Sequence, residues 1–385
     1  MSSRRRRKHW VRRPSGRHVA AGLTSDRPKT GARTVTRLAR GRASRVLTRG
    51  RGAPRSGDRS TLHTALFMLC AIALLAGCRG SDGVTVLKVA HNGPAGHPFQ
   101  AGFEEFSRIL EERSGGAVTV QIFENEQLGT EEEATLMVKL GALAASAASA
   151  GGGISAFVPE AEIFNFPFIF RDLDHFYRVV DGPIGERVAE RIEEELDVLV
   201  LGYWFAGRRN AWNAERPIVT PDDFEGLKIR VIPTPILVDT FNALGAQATP
   251  MSFGELYSAL EQGVVDGAET DHVDLYGERF YEVTKYVSYT RHLYLAVALI
   301  FSRKLYDELP PDLQEAVLEA GRASVRVERE AMASMTAAAL VELEKLGIEF
   351  NEIDRPLFED RVRQVYLDNA GRVGGIAAIE EVARQ

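Results

Sequence analysis

VTVLKVAHNGPAGHPFQAGFEEFSRILEERSGGAVTVQIF, residues Val84–Phe123, reads as a strand, a helix and a second strand. Val84–His91 alternates β-branched and apolar side chains in the manner of an extended segment. Pro98 then stands where a first helical turn tolerates a missing N–H. Phe99, Phe103, Phe106, Ile109 and Leu110 follow at helical steps, forming one apolar stripe. Gly115 and Gly116 close that helix, and Ala117–Phe123 returns as a strand. This alternation predicts an α/β sandwich on a largely parallel sheet.

Working downstream, Thr130 with Glu133 forms a capping box for a helix ending at Gly141. The same grammar recurs further on. Thr220, Pro221 and Asp223 open a short helix, Leu227–Val231 reads as a strand, Ser252 with Glu255 caps a helix to about Glu261, and Val264–Ala268 is another strand. A second α/β unit is therefore expected. From Asp312 to Leu346 apolar and small residues recur without a breaker, and Gly347 stands at the C′ position. A helix of ~35 residues is about 50 Å long, enough to bridge both units.

Working upstream, residues 1–60 hold 17 arginines and 2 lysines against Asp26 and Asp58. That +17 within a chain of net −6 leaves −23 for the remaining residues, so a basic tail precedes an acidic body. The tail lacks apolar periodicity and is expected to be disordered, either as a genuine extension or because the true start lies nearer residue 46 or 62. Residues 61–77 include ALFMLCAIALLAG (Ala65–Gly77), too short to span a bilayer but suited to a signal h-region. LAGC (Leu75–Cys78) resembles the lipobox of bacterial lipoproteins, which implies lipidation at Cys78 and a polar tether over 78–83. Cys70 and Cys78 are the chain's two cysteines, so the body has no disulfide framework and no cysteine-based zinc site.

The body carries no GxSxG, HExxH, Walker-type or strand-linked GxGxxG motif. Gly151–Gly153 lacks the Lys and Ser/Thr of a phosphate loop and reads as a tight turn. Asp266, Glu269, Asp271, His272 and Asp274 do not match calcium-loop spacing and read as a strand end turning at the lip of a cleft, so no metal and no cofactor is expected. Arg230 ends its strand on the face opposite Ile229 and Val231, and Arg209 begins an extended segment after Gly207. A guanidinium fork matches a carboxylate, and α/β sheets hold ligands at strand ends. Taken alone, however, each arginine reads first as a surface ion-pair residue.

Several collinear motifs between about Val84 and Met332 remove that ambiguity. They are HNGPAGHPF (His91–Phe99), QLG (Gln127–Gly129), FVPEAEIFNFPFIFRD (Phe157–Asp172), GLKIRV (Gly226–Val231), ALGAQATPMSFGELYSALEQGVVDGAE (Ala243–Glu269) and YEVTKYVSYTRH (Tyr281–His292). In these the chain resembles the DctP-type solute-binding subunits of tripartite ATP-independent periplasmic (TRAP) transporters. The resemblance implies a two-domain Venus-flytrap fold with a long domain-spanning helix, closing around a small organic acid. It implies domains of 84–206 with about 295–335, and 207–294 with about 336–385. It assigns the carboxylate clamp to Arg230 and a second arginine to Arg209. Asn92, Glu131, Phe253, Thr270, Ser149 and Asn213 are further ligand-binding positions. Thr270 stands where an Asn is common, and Ala142–Ala150 is a wall with only Ser146 and Ser149 polar, which suggests a ligand with few hydroxyls.

The expected protein is thus a periplasmic, lipid-anchored monomer, not an enzyme. It would capture an organic anion and deliver it to small and large TRAP membrane subunits, with no nucleic-acid partner. The alternatives are a ligand-sensing protein for a membrane kinase and, less favoured, a cleft enzyme.

Overall fold

The computed structural model describes residues 84–385; the readings for residues 1–83, Cys78 included, lie outside the described residues. One sheet of nine strands organises the chain, with β1 Thr85–Ala90, β2 Val118–Phe123, β3 Ala145–Ser149, β4 Val198–Asn213, β5 Lys228–Val231, β6 Gln247–Pro250, β7 Gly267–Thr270, β8 Tyr286–Ser302 and β9 Glu349–Asn351. Its order is β2-β1-β3-β8-β4-β7-β5-β6, with β9 added beside β8.

The expected α/β architecture is present, but the sheet is mixed where a largely parallel one was expected. β1–β2, β1–β3, β5–β6 and β5–β7 are parallel, whereas β3–β8, β4–β8 and β4–β7 are antiparallel. Local alternation cannot report this, because direction is fixed by β4 and β8, whose 16 and 17 residues make them each about 50 Å long. One end of this pair carries β3 and, through it, β1 and β2; the other carries β7, β5 and β6. The sheet therefore has two halves on one pair of continuous strands.

The helix over Pro98–Ser114 buries Phe99, Phe103, Phe106, Ile109 and Leu110 and ends at Gly115 in the left-handed conformation, as its stripe predicts. The capping box of Thr130 and Glu133 is formed. Ser252 behaves otherwise: its hydroxyl donates to the Glu255 carboxylate at 2.8 Å, and the helix begins only at Leu256. The strand expected at Val264–Ala268 lies at Gly267–Thr270, since pairing with β4 and β5 selects that register. Gly151–Gly153, expected as a tight turn, lies in a buried turn of π-helix spanning Ala150–Ile154.

The long helix runs Pro311–Lys345 and is followed by Gly347 at φ 84°. It lies against β4 so closely that a Cβ at Gly321 would stand 2.6 Å from Leu201 Cβ. Ser324 accepts the Trp204 indole N–H at 3.3 Å, and Glu328 accepts the Phe205 N–H at 3.0 Å. Glu328 is fully buried and its other oxygen has no partner, so burial pushes its carboxyl up to about 8. A carboxyl raised in the folded state stabilises while protonated, and that contribution is lost as pH rises from about 4.5 to about 8. Glu328→Gln, which keeps the acceptor for Phe205, is expected to gain on the wild type by about 2–4 kcal/mol between pH 5 and 8.5. Denaturant unfolding at the two pH values checks this; equal pH slopes for both proteins would refute it.

The core forms one large cluster, reaching from Leu87 through Phe205 to Phe241. A smaller one surrounds Trp212, with Leu256, Leu275, Phe280 and Leu343.

Candidate functional site

A cavity of about 210 Å³ opens midway along β4 and β8, where Ala206, Arg209, Leu295 and Val297 line it. Irregular register brings Arg209 there. The β4–β8 pairing shifts between Phe205 and Arg208 and again between Arg209 and Ala211, which re-aims the strand. Gly207 adopts φ 75°, and a Cβ on it would meet Asp271 Cβ at 2.3 Å, so glycine is required by both conformation and space.

Arg209 is 2% exposed and is committed to its neighbours. Its Nε donates to Glu269 Oε2 at 2.5 Å, and Nη1 lies 3.6 Å from Asp274 Oδ2. Burial alone would push the Glu269 carboxyl up; Arg209 and the nearby His292 outweigh it and hold Glu269 down to about 2. Arg230, also 2% exposed, is different. Its Nε and Nη2 donate to the Met251 carbonyl at 3.0 and 2.8 Å, and Nη1 is buried without a partner. Burial pushes this guanidinium down to about 10. Phe253 lies beneath it, with the guanidinium 5.8 Å from the ring centre.

Glu131, at the start of its helix, reaches the end of β3. Its carboxylate accepts from Ser149 Oγ at 2.6 Å, Ser149 N at 3.3 Å and Gly153 N at 3.2 Å. The glycines of 151–153 permit this approach: a Cβ at Gly152 would stand 2.4 Å from Ser149 Oγ and 3.0 Å from Glu131 Oε2. Two contacts join the halves across the cavity. Glu126 accepts the Gly254 N–H at 3.0 Å, and His97 Nε2 lies 3.4 Å from Asp274 Oδ1. His97 Nδ1 accepts the Phe99 N–H, which puts the imidazole proton on Nε2, and burial holds the ring neutral by lowering it to about 4.

Apolar walls carrying a few exact polar groups, one of them a buried guanidinium with one nitrogen left without a partner, describe a receptor for a small anion. Residues 89–371 match the model of the bacterial extracellular solute-binding proteins, family 7. The chain belongs to this family. A solute-binding protein of Chromohalobacter salexigens is 32% identical over 274 residues, 71% of this chain and 81% of that one. A TRAP periplasmic solute-binding protein from Sulfitobacter sp. NAS-14.1, solved with bound β-D-galacturonate, superposes with a TM-score of 0.74 at 30% identity, covering 78% of this chain and 98% of the other. One from Sulfurospirillum deleyianum, solved with bound succinate, gives the same TM-score, identity and coverage.

Within this family 7 protein, Arg230, Arg209, Asn92, Glu131, Phe253 and Ser149 all line this cavity. Thr270 and Asn213 do not. Thr270 accepts the Trp212 indole N–H at 3.1 Å, and Asn213 folds the following loop by accepting from Glu215 N and Arg216 N at 2.8 Å each. The acidic cluster is dispersed: Asp266 accepts from Lys228 N, Glu269 pairs with Arg209, Asp271 caps the helix His272–Gly277, and Asp274 alone reaches the cavity. Sequence reading did not single out His97, Glu126, Glu132 or Ile232 as lining residues. His97 stands in HNGPAGHPF and could have been read from it; Glu126 and Glu132 are acidic residues among many, and only their place in space marks them.

Proposed function

We propose that the protein captures a small organic acid outside the cytoplasm and delivers it to a TRAP-type membrane permease, catalysing no reaction. The observation carrying this reading is Arg230, a buried guanidinium whose Nη1 has no partner at the wall of the cavity. A ligand carboxylate would complete its hydrogen bonding and offset its charge. The galacturonate and succinate of the two solved relatives support an acid as the ligand.

In this reading residues 84–206 with about 295–335 form one lobe, and 207–294 with about 336–385 the other. The lobes part on β4 and β8, and bound acid favours the closed state, which Glu126–Gly254 and His97–Asp274 hold. Upstream, Cys78 carries a lipid that tethers a monomeric protein to the membrane; Cys78→Ala is expected to release it into the soluble periplasmic fraction.

Thermal unfolding against a panel of acids tests the function. Stabilisation follows RT ln(1 + [L]/Kd), so an acid at a thousandfold over its Kd adds about 4 kcal/mol and raises Tm by several degrees. No shift with any carboxylate, together with a shift for neutral sugars or amines, would overturn the reading.

A further inference from the structure

Beside the two contacts that join the lobes stands an acid with no counter-charge. Asp274, which meets His97, belongs to the helix His272–Gly277, and a Cβ on Gly277 would stand 3.0 Å from Pro94 Cγ. The end of this helix therefore abuts the loop that follows β1. Glu278 comes next in the chain, its N–H donating to the Asp274 carbonyl at 3.0 Å and its Oε1 buried without a partner. Glu126 approaches from the facing lobe, where Asn125 N donates to the Gly93 carbonyl at 2.9 Å and Glu126 itself accepts the Gly254 N–H.

The charged groups that act on Glu278 are Asp274 on its own lobe and Glu126 across the seam, both acids; its chain neighbour Arg279 is exposed and paired with Glu282. Asp274 has Arg209 at 3.6 Å and Glu126 is acted on by Arg230 through space, so those two acids have cations to offset them. Burial, with Asp274 and Glu126 adding to it, pushes the Glu278 carboxyl up to about 7. Parting the lobes returns Glu278 to water and takes Glu126 away, towards the ordinary carboxylate range. His97 does not reverse the sign. Its Nδ1 accepts the Phe99 N–H within one lobe, and that bond keeps the imidazole neutral whether the lobes are open or closed.

We infer that closure of the lobes takes up a proton from solvent at Glu278, so that the bound acid is held in mildly acidic surroundings and released as pH rises. This rests on the organic-acid reading and adds a control to it. The sign follows from linkage. A carboxyl raised in the closed state favours closure while protonated, and that advantage is lost as pH rises through about 7. The ligand carboxylate stays ionised over this range, so the effect belongs to the protein.

Calorimetry with galacturonate and succinate, the acids held by the two solved relatives, tests this between pH 6 and 8 in pairs of buffers that differ in ionisation enthalpy. Glu278→Gln mimics the protonated carboxyl, and Glu278 is not among the residues lining the cavity. The variant is expected to bind at least about tenfold more tightly than the wild type at pH 8, with the gap narrowing about tenfold by pH 6. At pH 6.5 the wild type should take up roughly half to one proton more per bound acid than the variant. Comparing the two proteins cancels the other titrating groups. Glu126→Gln removes the facing charge and keeps an acceptor for Gly254, so it should also lower the proton uptake, and it serves if Glu278→Gln folds poorly. Equal proton counts and parallel pH profiles in wild type and variants overturn the inference and leave the organic-acid reading standing. Silence toward these two acids and the whole panel overturns both.

Discussion

Arg230→Met is expected to lower affinity for the acid by roughly 10²–10⁴-fold while leaving the ligand-free protein as stable as before, or more so. Charge-assisted hydrogen bonds contribute about 1.5–3 kcal/mol each, and a fork engaging a carboxylate makes two. Their loss amounts to about 3–6 kcal/mol, which gives that range. The stability half follows from the environment of Arg230. Among the described residues no carboxylate stands at ion-pair distance, two of its nitrogens share the Met251 carbonyl, and a third has no partner. Methionine keeps an apolar stem of similar length and removes a buried charge that Glu269, Glu131 and Asp274 offset only through space, without a direct ion pair. Arg230→Lys retains the charge but not the planar fork, so an intermediate loss is expected. Calorimetry for affinity and urea unfolding for stability separate the two effects. Unchanged affinity in Arg230→Met would remove Arg230 from the binding role.

Arg209→Met is expected to do the reverse, unfolding the protein more readily by about 3–5 kcal/mol, because it strips a partner from a buried ion pair. Glu269 would be left fully buried without a direct ion pair, with the His292 imidazole 3.6 Å away and Arg230 acting on it only through space. For a domain of this size that is a fall in Tm of roughly 6–10 °C. The pH dependence has a definite sign. Glu269 is held down to about 2 in the folded protein against an ordinary 4.5, so its contribution is full above about pH 4.5 and is lost as pH falls towards 2. The gap between wild type and Arg209→Met should therefore be widest near neutral pH and narrow below 4.5. The double variant Arg209→Met, Glu269→Leu should recover much of the loss, since removing both charges costs less than stranding one. A double variant no more stable than Arg209→Met would show that the pair is not the source of the effect.

The two arginines thus have opposite energetic roles, though the sequence presents them alike. Each lies on an extended segment near polar neighbours, and each, taken alone, is read first as a surface ion pair. What distinguishes them is that Glu269 lies beside Arg209 across the β4–β7 pairing, whereas Arg230 on β5 has a carbonyl instead. Glu131 teaches the same lesson. Its motif position marks it for the site, but its partners Ser149 and Gly153 come from another element, so the acceptor it offers was not legible. Thr270 and Asn213 share motifs with lining residues, yet hydrogen bonds to Trp212 and to the next loop occupy them outside the cavity.

Local signals were read with little error where short-range physics governs. The stripe of Phe99–Leu110, the Thr130–Glu133 capping box and the breaker-free run that stops at Gly347 act through neighbours within about four residues, and the structure keeps them all. Sheet direction, the register of β7 and the buried π-turn at Ala150–Ile154 depend on pairing between distant segments, and there the expectations failed. The sequence by itself therefore determined the elements, the family and six of the residues around the cavity. Only the tertiary structure decided which arginine keeps a free donor at the cavity and which is committed to a buried ion pair, because Coulomb energy and desolvation depend on distances through space that sequence separation does not contain.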